Sequence, residues 1–226
     1  MNGLLSVVGT PIGNMEDMTL RAIRVLTEED YILCEDTRVT GHLLKHYGVD
    51  TKMRRYDAHA SEKTHTGILH DLEVGKKIAL VSDAGTPGVS DPGVMLVRRA
   101  REAGARIDAI PGASAVTVAF SIAGIAGNSF AFLGFVPLKK GRQTFFKSLS
   151  EYDMPVIFYE APHRIMKTLE SLKENLSIDR KVVVARELTK MFEEVVVGSP
   201  EEVLQYFIDH TDHIRGEFVV LVHCID

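Results

Sequence analysis

Short β-branched runs alternate with helical patterns through the first half of the chain, and this rhythm constrains the fold more than any other feature. The runs "LLSVVG", "YILC", "KIALVS" and "RIDAIPG" are interleaved with "LRAIRVL", "HLLKHYG", "GILHDLEVG" and "GVMLVRRAREAG". Such alternation predicts an α/β fold with a mainly parallel sheet and helices on its faces. Gly48, Gly75 and Gly104 each follow a helical pattern, where a left-handed cap stops it.

After "GASAVTVAFSIAGIAG" the rhythm changes to "FAFLGF", a basic hinge "PLKKGRQ", then "VIFYE", "RIMKTLESLKENL", "KVVVAREL", "EEVVVGS" and "FVVLVHC". Strands now outnumber helices, which predicts a second, mixed sheet. Within it "SPEEVLQYF" starts a helix: Ser199 caps, Pro200 suits the first turn and Glu202 completes a capping box. The expected division is two α/β domains, 1–112 and 113–226, with no long linker. A chain of 226 residues with 45% hydrophobic content can fill both cores.

The formal net charge of -5 excludes a global field that attracts nucleic acid, so any such partner needs a local basic patch. Cys34 and Cys224 have no C-x-x-C spacing and lie in apolar runs, which predicts buried free thiols and a reducing compartment. "MNGLLSVVG" has neither the basic start of a secretion signal nor the length of a membrane span, so a cytoplasmic protein without a membrane partner is expected. His42 and His46 share a helix face at metal-pair spacing, but H-E-x-x-H would need a Glu between them and no metal is expected.

The loop "VSDAGTPGVSDPG" follows an apolar strand directly. In an open α/β sheet ligands sit at the carboxyl ends of strands, and glycine lets backbone approach a ligand without interference from a Cβ. Three more strand ends carry similar punctuation: "GTPIGN", "CEDTR" and "PGASA". Any one of these is explained by a tight turn. Four on one rim predict a binding site. It is not a dinucleotide site, because "GTPIGN" spaces Gly9 and Gly13 four apart with Pro11 between them, and no G-K-[ST] marks a P-loop.

The ordered set "VGTPIGN", "CEDTR", "SDAGTPGVSDPG", "PGASA", "FLGFVP", "FYEAPHR", "ARELTK" and "GEFVVLV" resembles the tetrapyrrole methylase superfamily over nearly the whole chain. Within it, the set is similar to the branch that methylates a cytidine ribose in the decoding region of small-subunit ribosomal RNA. The resemblance implies an enzyme that binds S-adenosylmethionine in a cleft between two α/β domains, commonly as a homodimer, and acts on the RNA or the assembled 30S subunit. It assigns the donor's methionine end to Asp83, Ala84, Gly85, Thr86 and Val89, with Pro11, Ser114 and Ala115 as walls. Backbone near Tyr159, Ala185, Arg186 and Gly216 is assigned to the adenine. Members commonly carry a further helical segment after the last strand, whereas this sequence ends at "VHCID". A superfamily sibling acting on a small molecule such as a tetrapyrrole, or a donor-binding module without turnover, are the alternatives.

Methyl transfer from a sulfonium is an in-line displacement, in which orientation alone supplies roughly 7–11 kcal/mol. A ribose hydroxyl must also lose its proton as the new bond forms, and Glu35, Asp36, His163 and Glu187 are the candidate bases. Arg38, two residues beyond Asp36, lowers the pKa of both neighbouring carboxyls. One of that pair also suits the helix cap before "TRVTGHLLKHYG". Asp83 equally suits an Asx turn in its own loop. Arg38 and Arg164 match phosphate geometry and can as well hold a carboxylate. Lys139, Lys140, Arg142 and Lys147 cluster beside Phe145 and Phe146, either to track an RNA backbone or as a solvated helix face over a core pair. The small residues of "SIAGIAG" predict a helix that seals a dimer or packs on the sheet.

Overall fold

In the computed structural model, which describes residues 3–89, 93–177 and 179–224, the chain forms two compact units, Met1–Ser114 and Ala115–Asp226. The division falls two residues beyond the expected position. Residues 90–92 of the predicted binding loop lie outside the described residues.

The first unit contains strands β1 (Leu4–Val8), β2 (Tyr31–Cys34), β3 (Met53–Arg55), β4 (Lys77–Leu80) and β5 (Arg106–Ile110), with helices α1 (Leu20–Glu28), α2 (Thr37–His46), α3 (Glu62–Glu73) and α4 (Gly93–Glu102). The sheet runs in the order β3-β2-β4-β1-β5 and every pairing is parallel. Strand residues alternate between two cores, as a sheet covered on both faces requires. Ile32, Cys34, Ala79 and Val81 face Ala22 and Leu26 of α1 and Leu43 and Leu44 of α2. Tyr31, Leu33, Ile78 and Leu80 face Ile68 and Leu72 of α3 and Leu96 and Ala100 of α4. Gly48, Gly75 and Gly104 take the positive φ angles of 68°, 97° and 76° that end their helices.

This order creates a switch point. The chain leaves β4 for α4 on one face, whereas it leaves the neighbouring strands β1 and β2 for α1 and α2 on the other. The connections splay apart at the carboxyl end of β4, where open α/β sheets bind ligands.

The second unit adds α5 (Ala115–Ile122), β6 (Ala131–Phe135), α6 (Arg142–Ser148), β7 (Val156–Glu160), α7 (Ile165–Asn175), β8 (Arg180–Arg186), β9 (Glu194–Gly198), α8 (Pro200–Asp209) and β10 (Phe218–Cys224). Its sheet order is β6-β7-β10-β8-β9, parallel at β6 with β7 and antiparallel elsewhere, a mixed sheet as expected. Phe146, Phe158, Phe207 and Phe218 fill its core. Ser199 and Glu202 form the predicted capping box, with Pro200 in the first turn of α8.

Two expectations are corrected. The helix predicted for "SIAGIAG" stops at Ile122, because Gly124 and Gly127 adopt positive φ. The "PLKKGRQ" segment, expected as a basic hinge, connects β6 to α6 inside the second unit and supplies the first residues of α6.

Candidate active site

Three strand ends of the first unit are fused into one rim. A Cβ added to Gly9 would lie 2.8 Å from the Gly112 backbone, and one added to Gly112 would lie 2.8 Å from Gly9. Side chains at either position would force the ends of β1 and β5 apart. The Thr10 amide donates to the Gly85 carbonyl at 2.9 Å, and the Thr10 hydroxyl reaches the Ser82 and Gly85 carbonyls at 3.3 Å. Thr86 Oγ1 donates to the Ala113 carbonyl at 3.2 Å. "GTPIG", "SDAGTPG" and "PGA" therefore hold one another through backbone contacts and threonine hydroxyls, with Thr10, Pro11 and Gly85 buried and Asp83, Ala84 and Val89 exposed.

A fourth strand end joins through a carboxylate. Asp83 Oδ1 accepts from the Asp36 amide at 3.2 Å and so links the loop after β4 to the loop after β2. Asp36 caps α2 by accepting from the Arg38 amide at 2.8 Å. It also takes the Arg38 guanidinium through Nε at 3.1 Å and Nη2 at 2.6 Å. The hydrogen bonds from Arg38 hold the Asp36 carboxyl well below the ordinary aspartate range. Beneath this cluster Cys34 is fully buried, and burial raises its thiol pKa.

In the second unit, Glu187 follows β8 with φ of 50° and its carboxylate lies over Gly216, where an added Cβ would collide with Oε1. Lys190 Nζ donates to Glu187 Oε1 at 2.8 Å and to Glu217 Oε2 at 2.9 Å, and the Glu217 amide donates to Glu187 Oε1 at 3.1 Å. Burial pushes the Glu187 carboxyl up, but these donors overcome it and hold it below the ordinary glutamate value. In β7, Tyr159 is half-buried, and burial raises its hydroxyl pKa.

Residues 4–204 match the family described as Tetrapyrrole (Corrin/Porphyrin) Methylases. The chain belongs to this family. It is accordingly an S-adenosylmethionine-dependent methyltransferase. Relatives named ribosomal RNA small subunit methyltransferase I include one from Haemophilus influenzae, 41% identical over 98% of this chain and 79% of the relative. Another, from Thermotoga maritima, is 42% identical over 91% of this chain and 92% of its own. Among solved structures, diphthine synthase has a TM-score of 0.73 at 15% identity, covering 98% of this chain and 90% of that one, and shows the shared fold.

The rim of this tetrapyrrole methylase suits the sulfonium donor: bare backbone at Gly85, with φ of 80°, and an exposed carboxylate at Asp83. Among the described residues Asp83 Oδ1 accepts from the Asp36 amide rather than closing an Asx turn in its own loop. Ser114 and Ala115 are half-buried at the start of α5. Ala185 is fully buried inside β8, flanked by β9 and β10, and the Arg186 guanidinium is taken by Glu194 at 3.2 Å.

Two of the four candidate bases carry structural bonds. Asp36 is the helix cap and Glu187 the partner of Lys190, so both carboxylates favour the charged form through bonds that a proton acceptor would have to break. Glu35 is half-buried beside Asp36, and His163 is exposed in the turn before α7. Two of the candidate RNA-binding arginines, Arg164 and Arg142, face inward. Arg164 Nη2 lies 2.6 Å from Glu160 Oε1 and Arg142 Nη1 lies 3.6 Å from Oε2, around a carboxylate with no exposed surface. Thr168 completes the cage by donating to Glu160 Oε2 at 2.6 Å. Phe145 and Phe146 pack edge-on to one another in the core of the second unit, beneath the exposed Lys139 and Lys140. Sequence reasoning missed Glu160, whose acidic character inside the apolar run "VIFYE" was the available signal.

Proposed function

We propose that the protein methylates the 2′-hydroxyl of a cytidine ribose in small-subunit ribosomal RNA. The observation that carries this reading is the near-full-length match, at 41% identity, to a relative named ribosomal RNA small subunit methyltransferase I. When bound, S-adenosylmethionine supplies an electrophilic methyl group on a sulfonium.

Asp83, Ala84, Gly85, Thr86 and Val89 hold the donor's methionine end in this reading, walled by Pro11, Ser114 and Ala115. Backbone around Tyr159, Ala185, Arg186 and Gly216 receives the adenine, and the Lys190 bridge between Glu187 and Glu217 keeps that backbone in place. A rim built from mutual backbone contacts supports catalysis by fixing orientation, since displacement in line is sensitive to shifts of about 1 Å. Glu35, Asp36, His163 and Glu187 are this reading's candidates for accepting the ribose proton, Asp36 and Glu187 only by giving up bonds to Arg38 and Lys190. Arg38, which is 89% exposed while paired with Asp36, and Lys139 and Lys140 approach RNA phosphates. The acceptor is the RNA of the assembled 30S subunit, the working form is a homodimer and the compartment is the cytoplasm.

Incubation with methyl-tritiated donor tests this: label should enter RNA of 30S subunits from cells lacking the gene, at a ribose position by nuclease mapping. Label in a free tetrapyrrole and none in RNA would reject it.

A further inference from the structure

A glycine bulge turns one aromatic ring of the second sheet toward solvent. On β6 and β7, Phe132 pairs with Ile157 and Phe135 with Tyr159, so β6 carries one extra residue between these pairs. Gly134, with φ of 68°, supplies the backbone conformation for it. Bulges re-aim side chains, and here Phe135 ends 56% exposed, its ring edge-on to Tyr159 at a centroid distance of 5.2 Å. Leu138, three residues on, is 75% exposed, and Lys139 and Lys140 follow it, both exposed.

The segment is held from below. The Val136 amide donates to the Tyr159 carbonyl at 3.3 Å, and Arg164 Nη1 donates to the Val136 carbonyl at 3.1 Å while Nη2 grips buried Glu160. The Arg142 amide donates to the Lys139 carbonyl at 3.3 Å. An ordered loop thus presents two apolar side chains and two cations. From Pro137 to Lys147 the chain carries Lys139, Lys140, Arg142 and Lys147 and no acid. Exposed rings beside backbone-tracking cations are the means by which unpaired nucleotides are bound.

We infer that Phe135 and Leu138 form a platform for an unpaired nucleobase of the RNA substrate, with Lys139 and Lys140 on the adjoining phosphates. This rests on the ribosomal RNA reading above. The cations favour an RNA base over the donor's adenine, because the donor carries no phosphate to meet them.

The chain has no tryptophan, so Phe135→Trp makes a sole fluorescent reporter on the platform. Its emission should be quenched when 30S subunits lacking the modification are added. Phe135→Ala should weaken 30S binding by about five- to 150-fold, as loss of one stacked base does, with the affinity for S-adenosylhomocysteine unchanged by calorimetry. Unquenched emission, together with full 30S affinity in Phe135→Ala, overturns the platform while wild-type transfer to RNA leaves the ribosomal reading standing. Lost affinity for S-adenosylhomocysteine would reassign the ring to the donor, and a change of mass in sedimentation would reassign it to a second copy; either result overturns the inference. Absence of transfer to 30S by the wild-type protein removes the reading and the platform with it.

Discussion

Gly9 and Gly112 touch backbone to backbone, so closely that a Cβ on either residue would lie 2.8 Å from the other. Gly9→Ala and Gly112→Ala should each destabilise the protein by about 1–3 kcal/mol, the usual range for forced overpacking. Because they share one contact, the double variant should cost less than the two added together. Gly48→Ala is the comparison: it places a side chain on left-handed backbone, with φ of 68°, but no atom lies within 4 Å of the added Cβ. Urea unfolding measures all four. Product affinity should fall for the Gly9 and Gly112 variants alone.

Asp83 can serve the donor through its charge or through its bond to the Asp36 amide, and one substitution separates these. Asp83→Asn retains an acceptor for the amide and loses the charge, whereas Asp83→Ala loses both. If the carboxylate meets the donor's ammonium, both variants should bind S-adenosylhomocysteine at least tenfold more weakly in calorimetry. Wild-type affinity in Asp83→Asn would leave only the loop-anchoring role. Gly85→Val should also bind weakly, since its φ of 80° disfavours a β-branched side chain and an added Cβ already lies 3.3 Å from Ile12 Cγ2.

Arg164 and the surface lysines should separate in their effects. Glu160 is buried without exposed side-chain surface, so Arg164→Ala removes its nearest counter-ion and should cost about 3–5 kcal/mol in urea unfolding. Lys139→Ala and Lys140→Ala should leave stability within about 0.5 kcal/mol. Each should instead lower the log-log salt slope of RNA binding by about one. An unchanged slope in the double lysine variant would show that RNA is held elsewhere.

Glu29 supplies a pH dependence of folding. Ser6 Oγ donates to Glu29 Oε1 at 2.7 Å, while Oε2 is buried without a partner among the described residues. Burial raises the folded-state pKa, and the Ser6 bond only partly offsets it. The folded protein therefore retains this proton at pH values where the unfolded chain has lost it. Stability falls as pH rises from about 4, the ordinary glutamate value, through the raised one, and is level beyond it. Glu29→Gln removes the titration, so the difference in unfolding free energy between wild type and variant should shift in favour of the variant across that window. A constant difference from pH 4 to pH 8 would contradict the assignment.

The alternation of strand and helix patterns, the glycine stops at 48, 75 and 104 and the capping box at Ser199 were legible because each depends on residues within a few positions of one another. Periodicity reports which face of an element is buried, and backbone stereochemistry reports where it ends. The strand-end motifs carried the family and the first unit's rim for the same reason. Side-chain commitments depend on distant partners and were decided only in three dimensions. Asp83 meets Asp36 across two loops, Glu187 meets Gly216 and Lys190, and Glu160 gathers arginines that the sequence offers equally well to phosphate. The bulge at Gly134 likewise depends on β7, because an extra residue exists only relative to a paired strand. A charge in a sequence states what it can attract; burial and the nearest opposite charge determine what it holds.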